Sequence, residues 1–301
     1  MLRHIAGAWR LARSRVCTRT YSAGITLRPY QVECVRECLA ALQRGATRIG
    51  VSSPTGSGKT TIFSELMRRI PARAGAGRVL VLVNAVALAV QAADTVRALL
   101  PGLHVEIEQG TRYVASGHAD VTVATVQSLC SRERLEKYAP EQYKCVIVDE
   151  AHHATAATYR QVIARFNGLV RAPGDEPPSP HRIPIIGFTA TFSRHDGVAL
   201  GNVFDEIVFH RDFFEMINEH WLAPLVFTAV RGQFDLSGAE SGRGDFVTSS
   251  LARIVNQPGV NEIVVRTWLD RAWGTRRSTL VFAVNIDHAN ALAAEFQQRL
   301  E

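Results

Sequence analysis

From Ile25 onward the apolar positions follow two alternating rhythms. Short continuous runs rich in Val and Ile predict strands buried on both faces, and longer stretches with apolar residues every three or four positions predict amphipathic helices. Arg28 to Leu42 reads as a helix, ATRIGVS as a strand, and Thr60 to Ile70 as a helix closed by Pro71. RVLVLV is a strand, followed by Val86 to Leu100 as a helix stopped by Pro101. VTVAT and KCVIVDE are strands, Tyr159 to Val170 a helix, and IPIIGFTAT another strand. Such alternation predicts an α/β domain with a mostly parallel sheet and helices on both faces.

RAPGDEPPSPHRIP (Arg171 to Pro184) has neither period and reads as an exposed loop. After Trp221 the pattern restarts: LAPLVFTAV as a strand, DLSGAESGRG as a polar loop, and Phe246 to Val255 and Val260 to Trp273 as helices. STLVFAV reads as a buried strand and Asp287 to Arg299 as a helix. One strand with one following helix is less than an α/β domain, so the expectation is a whole domain over 22–222 and part of a second over 223–301.

Charge changes the picture at the N-terminus. The chain has 301 residues and a formal charge of +6. Five arginines, Arg3, Arg10, Arg13, Arg15 and Arg19, fall within residues 1–21, and the first carboxylate is Glu33. Without those five the balance is 6 − 5 = +1, so the basicity does not by itself mark a nucleic-acid groove. Leu2, Ile5, Trp9, Ala12 and Val16 fall on one side of a helical wheel, with Arg3 and Arg10 opposite. An Arg-rich, acid-free amphipathic stretch has the character of a mitochondrial transit peptide, and RTYSAG resembles a matrix-protease cleavage pattern, placing the mature start at Ser22. The expected location is the mitochondrial matrix; the competing reading is a basic tail or nucleic-acid-binding arm.

The longest apolar stretch, Val79 to Ala93, is broken by Asn84 and Gln91 and falls short of the about 20 residues a membrane helix needs. Cys34 and Cys38 lie four apart on a predicted helix, while Cys130 and Cys145 are isolated; none has zinc spacing, and all read as small core residues.

The chemistry is concentrated in two segments. SSPTGSGKTT (Ser52 to Thr61) follows a predicted strand and opens a helix, the context of a phosphate-binding loop. Gly56 and Gly58 allow close backbone approach, and the amides of Gly56 to Thr60 face phosphate oxygens at a helix N-terminus. Lys59 reaches the β and γ phosphates and the Thr60 hydroxyl takes Mg²⁺; Thr55, Ser57 and Thr61 complete the ATP-binding set. About 90 residues later CVIVDEAHH places Asp149 and Glu150 at the end of a buried strand, where α/β sheets carry ligand groups. Asp149 is the candidate Mg²⁺ ligand, Glu150 the candidate base for the attacking water, and His152 a further catalytic candidate.

SPTGSGKT, the DEAH-box segment DEAHH and GFTAT together resemble the ATP-binding domain of superfamily 2 helicases. LRPYQ (Leu27 to Gln31) and TATFSRHDG (Thr189 to Gly197) narrow the resemblance to the branch of restriction translocases and repair helicases, and within it to the branch-migration DNA helicase type of fungal mitochondria. The resemblance implies a RecA-like domain followed by an incomplete second one, ATP and Mg²⁺ as cofactors, and a nucleic-acid partner: single-stranded or branched DNA, with RNA as the alternative. No membrane is expected, given the short apolar stretches, and no obligate protein partner is evident in the sequence. The resemblance places Arg28 and Gln31 at adenine; Thr125, Gln127 and Ser128 at the nucleic-acid backbone; and Thr189, Ala190 and Thr191 in coupling ATP state to strand movement. HRDFFEMINEHWLAPL resembles the exit from the first motor domain, and STLVFAVNIDHANALAAEF the fourth motif, which opens the second.

Three positions depart from the family pattern. Ser53 replaces a glycine, Asn84 and Ala85 stand where a His-Arg pair is usual, and Phe192 replaces a proline. Nothing after Leu280 resembles the fifth or sixth motif, the latter supplying an arginine worth roughly 10³–10⁵ in turnover. The expectation for this chain is therefore Mg-ATP binding with slow hydrolysis and no unwinding. A non-catalytic, ATP-switched nucleic-acid-binding module is the competing class; a phosphate-loop kinase would leave DEAHH and GFTAT without a purpose.

Overall fold

The computed structural model describes residues 26–72, 75–170, 179–191, 200–230, 241–242 and 245–300. The N-terminal stretch read as a transit peptide, residues 171–178 of the Pro-rich segment, Phe192 to Gly197, and most of DLSGAESGRG lie outside the described residues. The chain divides into two compact units, with the boundary between Pro224 and Leu225.

The first unit is a seven-stranded parallel sheet. Its elements in chain order are α1 (Pro29–Gln43), β1 (Arg48–Ser52), α2 (Lys59–Arg69), β2 (Arg78–Val83), α3 (Val86–Leu99), β3 (Val105–Glu108), β4 (Val121–Thr125), α4 (Val126–Leu129) and α5 (Arg132–Glu136). Then come β5 (Tyr143–Asp149), α6 (Ala157–Phe166), β6 (Ile185–Thr189), β7 (Glu206–His210) and α7 (Phe213–Asn218). The strand order is β3-β4-β2-β5-β6-β1-β7, every pairing parallel.

The central strands are apolar throughout because both of their faces are covered. Ile49, Val51, Val81, Ile147 and Phe188 pack with α1, α2 and α3 in one core cluster; Leu80, Leu82, Val146, Val148 and Ile185 pack with α4 to α6 in another. On α6, Tyr159, Val162, Ile163 and Phe166 recur at the spacing of one helical face, and all four are buried. Cys34, Cys38 and Cys145 are buried, as small core residues should be.

Several expectations need correction. β3 and β7 are strands that the apolar pattern did not announce: VEIE alternates with acidic residues, EIVFH holds only three apolar residues between polar ends, and the two form the sheet's edges. The helix after the DEAHH segment runs Ala157–Phe166 rather than to Val170; Asn167 leaves it, and its side-chain amide donates to the Ile183 carbonyl at 3.1 Å. The end of the Pro-rich segment is not a free loop either, since Gly168 N–H donates to His181 O and Ile183 N–H to Phe166 O.

The second unit contains α8 (Thr248–Val255), α9 (Pro258–Arg271) and α10 (Ile286–Leu300), plus a two-residue antiparallel pair at 241–242 and 245–246. LAPLVFTAV and STLVFAV, both read as strands, form no ladder among the described residues, and the second is not buried. Phe227 is 81% exposed and Phe282 87%. β-propensity expresses a fit to a neighbouring strand, and without one an apolar run stays irregular. No helix among the described residues is long and apolar enough to cross a membrane.

Gly187, in the GFTAT segment, is glycine for packing. A Cβ there would stand 2.4 Å from Phe204 Cζ and 2.8 Å from Ala151 Cβ. Gly187→Ala is expected to destabilise the first unit by about 1–3 kcal/mol through overpacking, read as a lower urea midpoint. An unchanged midpoint would show that Phe204 swings aside freely.

Candidate functional site

The phosphate loop leaves the end of β1 and enters α2. Gly56 and Gly58 both adopt left-handed backbone conformations, with φ of 87° and 79°. Gly58 also has no room for a side chain: a Cβ would lie 2.7 Å from Gln31 Nε2. The loop's shape is held from outside as well as within. The Ser57 carbonyl accepts from Tyr30 OH at 2.7 Å and from Gln31 Nε2 at 2.9 Å. Gln31 Oε1 accepts the Arg28 N–H at 2.9 Å, so both ends of this amide are engaged.

Ser53 is fully buried, and its hydroxyl donates to Ser57 Oγ at 2.6 Å. The residue that breaks the strict glycine pattern thus cross-braces the loop. Lys59 Nζ lies 3.4 Å from the Ser53 carbonyl, poised across the loop mouth. Thr55 and Gly56 are exposed at the loop tip, while Thr60 and Thr61 are half-buried in the first turn of α2.

The acidic pair sits two strands away. β1 pairs with β6 and β6 with β5, in a register that sets Val51, Phe188 and Asp149 abreast. Burial raises the Asp149 carboxyl above the usual range, Glu150 adds to the rise, and the Glu150 N–H and Lys59 counter it. Glu150 itself has φ 49° and ψ 54°, a left-handed conformation that costs a non-glycine residue about 1–3 kcal/mol and is kept where function uses it. That kink turns the chain sharply out of β5 beside the phosphate loop.

Thr189, at the end of β6, joins the two halves of the site. Its carbonyl accepts the Ser53 N–H at 2.9 Å, and its hydroxyl lies 2.9 Å from His152 Nδ1. The same hydroxyl accepts the Thr191 N–H at 3.1 Å, while His152 Nδ1 is 3.4 Å from Glu150 Oε2. Ala190 lies between the two threonines, half-buried. His153 lies between His152 and Tyr159, its ring 4.1 Å from the first and stacked on the second at 6.4 Å; burial, with His152 beside it, lowers its pKa.

The structure therefore brings Gln31, the phosphate loop, Lys59, Asp149, Glu150, His152 and Thr189 together. Thr125, Gln127 and Ser128 stand apart at the end of β4, on the other side of β2. Thr125 is buried with its hydroxyl 2.8 Å from Ser128 Oγ, so these two brace each other, and Gln127 is the exposed member. Arg28 donates to the Trp221 carbonyl at 3.3 Å and lies 5.6 Å from that ring's centre.

Tyr30, Trp221 and Leu222 were missed in the sequence. Tyr30 had a signal, since it lies inside LRPYQ at the start of α1. Trp221 and Leu222 fall in the segment read as the exit from the first motor domain, which gave no sign that they meet the phosphate loop. They reach the loop because the turn after α7 returns both of their N–H groups to the Met216 carbonyl, putting Trp221 5.4 Å from the Tyr30 ring and Leu222 against Gly56.

Comparison with known proteins bears on the family and the fold. The family described as type III restriction enzyme, res subunit, matches residues 24–194. A Saccharomyces cerevisiae protein that bears the name of an ATP-dependent helicase, IRC3, is 37% identical over 293 residues, covering 95% of this chain and 41% of that protein. A Schizosaccharomyces pombe protein named as a mitochondrial ATP-dependent helicase, irc3, is 37% identical over 275 residues, covering 91% and 43%. The chain thus spans less than half the length of either yeast relative. A structure of a fragment assigned to the HsdR subunit of a type I restriction enzyme from Vibrio vulnificus aligns with a TM-score of 0.60 at 19% identity, over 90% of this chain and 45% of that one. The last is a likeness of fold.

Gly58→Ala meets two obstacles at once, the left-handed backbone and the Gln31 amide. It is expected to lower affinity for a fluorescent ATP analogue at least about tenfold, because the loop amides can no longer converge on the phosphates. Wild-type affinity in a folded variant would refute this account of the loop.

Proposed function

The chain belongs to the superfamily 2 family described as type III restriction enzyme, res subunit, and on that premise we propose that it is the ATP-binding motor portion of a DNA helicase or translocase of the mitochondrial matrix. The observation that carries the reading is the position of Thr189, bonded through its backbone to the phosphate loop and through its hydroxyl to the histidine of the acidic turn. A site that only stored nucleotide would not need its two halves linked in this way.

The residues suit Mg-ATP. Asp149 is a carboxylate held partly out of water, and Thr60 presents a hydroxyl at the start of α2, a hard-oxygen donor pair of the kind Mg²⁺ takes alongside phosphate oxygens and waters. Among the described residues no cluster of three His, Cys, Asp or Glu side chains forms a metal cage, and Mg²⁺ bound with ATP requires none. Bound there, the metal would neutralise charge developing on the β and γ phosphates. Lys59 would move from the Ser53 carbonyl to the phosphates, and the loop amides would cradle them. Glu150 would orient the attacking water and take its proton, with His152 holding the carboxylate against Thr189. Arg28 and Gln31 would border adenine, Gln31 meanwhile fixing the Ser57 carbonyl.

The polymer would cross the other half of the same sheet end, where Gln127 is exposed after β4. Neutral contacts of this kind position a strand without reading its sequence. The mitochondrial assignment draws on the arginine-rich, acid-free first 21 residues and on the name of the fission-yeast relative.

The test is ATP turnover with Mg²⁺, alone and with single-stranded DNA or RNA, for wild type and Glu150→Gln. The expected result is ATP bound by both proteins, slow wild-type turnover that DNA raises more than RNA does, and turnover lowered further in Glu150→Gln. Turnover that survives the substitution would remove Glu150 from its role. Equal stimulation by RNA would remove the preference for DNA.

A further inference from the structure

β3 ends in an unusual way for an edge strand. Glu108 is fully buried as a carboxylate, and it is held by four groups: Arg134 Nη1 at 3.1 Å, Lys137 Nζ at 2.6 Å, Tyr138 OH at 2.8 Å and the Ala115 N–H at 3.2 Å. Three of these lie beyond β4 and one follows the turn that Glu108 begins, so the carboxylate ties the turn to the body of the domain.

The turn is rigid in its own right. Gln109 and Tyr113 exchange both backbone hydrogen bonds, at 2.7 and 3.0 Å, closing a tight hairpin. The Gly110 N–H donates to Ser128 Oγ at 2.8 Å, which couples the hairpin to the segment carrying Gln127. Arg112 projects from this hairpin and is exposed, with its guanidinium carbon 5.3 Å from the centre of the Tyr113 ring. Tyr113 in turn packs on the core beneath it. Among the described residues no carboxylate pairs with Arg112, although Arg132, Arg134 and Lys137 nearby each have one. Three hydrogen bonds on a five-residue turn, a buried carboxylate tied down at its base and one uncommitted cation stacked at its tip describe a charge held in place for something outside the protein.

We propose that Arg112, seated on the Tyr113 ring at this pinned hairpin, contacts a phosphate of single-stranded nucleic acid, extending past β4 the track that Gln127 begins. The proposal rests on the nucleic-acid reading above and adds to it a charged contact and a positioning residue. A guanidinium matches phosphate geometry bidentately, and a ring beneath it fixes the plane of the fork. The contact is blind to base and to sugar. Tyr113 acts through Arg112 and is a positioning residue; Glu108 fixes the hairpin that carries both.

The experiment is a fluorescence-anisotropy titration of the full chain with labelled oligothymidylate and oligouridylate at several salt concentrations, with binding of a fluorescent ATP analogue as the control for folding. Arg112→Ala is expected to weaken both polymers about tenfold and to lower the slope of log affinity against log salt by about 0.7, the value for one phosphate on a single strand. Arg112→Lys restores the slope. Tyr113→Leu keeps the slope and weakens binding about threefold, because the charge remains but is no longer held. Wild-type affinity and slope in Arg112→Ala, or a loss confined to one of the two polymers, would overturn the contact; unchanged affinity in Tyr113→Leu would overturn the role of the ring. If wild type binds the ATP analogue but neither polymer, the nucleic-acid reading falls and this inference with it.

Discussion

The parallel pairing of β5, β6 and β1 is the constraint from which the candidate site follows. Strands in a sheet lie about 4.8 Å apart, so three adjacent strand ends deliver three loops within reach of one triphosphate. The register puts Ser52 beside Thr189 and Phe188 beside Asp149. A slip of one residue in either ladder would send Thr189 or Asp149 to the opposite face. Continuous burial of Ile185 to Thr189 guards against such a slip, since every residue of β6 is covered on its own side.

The same sheet end has a second half. Beyond β5 come β2, β4 and β3, whose C-terminal ends carry Asn84, Gln127 and the Gln109–Tyr113 hairpin. The groups proposed for nucleotide chemistry are thereby on one side and those proposed for a polymer on the other. The Gln127 amide reaches back to the Asn84 carbonyl at 3.4 Å, so neighbouring segments in this half also brace one another. Open α/β sheets place ligands outside the carboxyl ends of their strands. Here one such edge is long enough for two kinds of ligand.

Local rules are broken mainly where the chemistry lies. Glu150 occupies a left-handed conformation without being glycine, Asp149 is a carboxylate partly withdrawn from water, and Gly58 is a helix N-cap with no capping side chain. Each would be poor design in an ordinary α/β domain, and together they mark a surface shaped for a ligand. Glu108 breaks the rule against buried charge in a different way. With two cations, a phenol and a backbone N–H around it, its charge is compensated, and the buried carboxylate becomes an anchor.

Much of this was legible in the sequence because it is local. The phosphate loop is ten consecutive residues, the acidic pair ends one apolar run, and every central strand announces itself as a run because both of its faces are covered. The edges β3 and β7 were hidden, since an edge strand is only half covered and its polar residues break the run. LAPLVFTAV and STLVFAV misled for the complementary reason: an apolar run has the composition of a strand but cannot supply its own partner. Tertiary structure alone decided that Ser53 braces Ser57, that Tyr30 and Gln31 share one carbonyl, that Trp221 and Leu222 return to the loop, and that Thr189 touches His152. Each of these contacts depends on where a sheet register and a turn place two side chains. The sequence determined which groups could do the chemistry, and the packing of the sheet determined which of them meet.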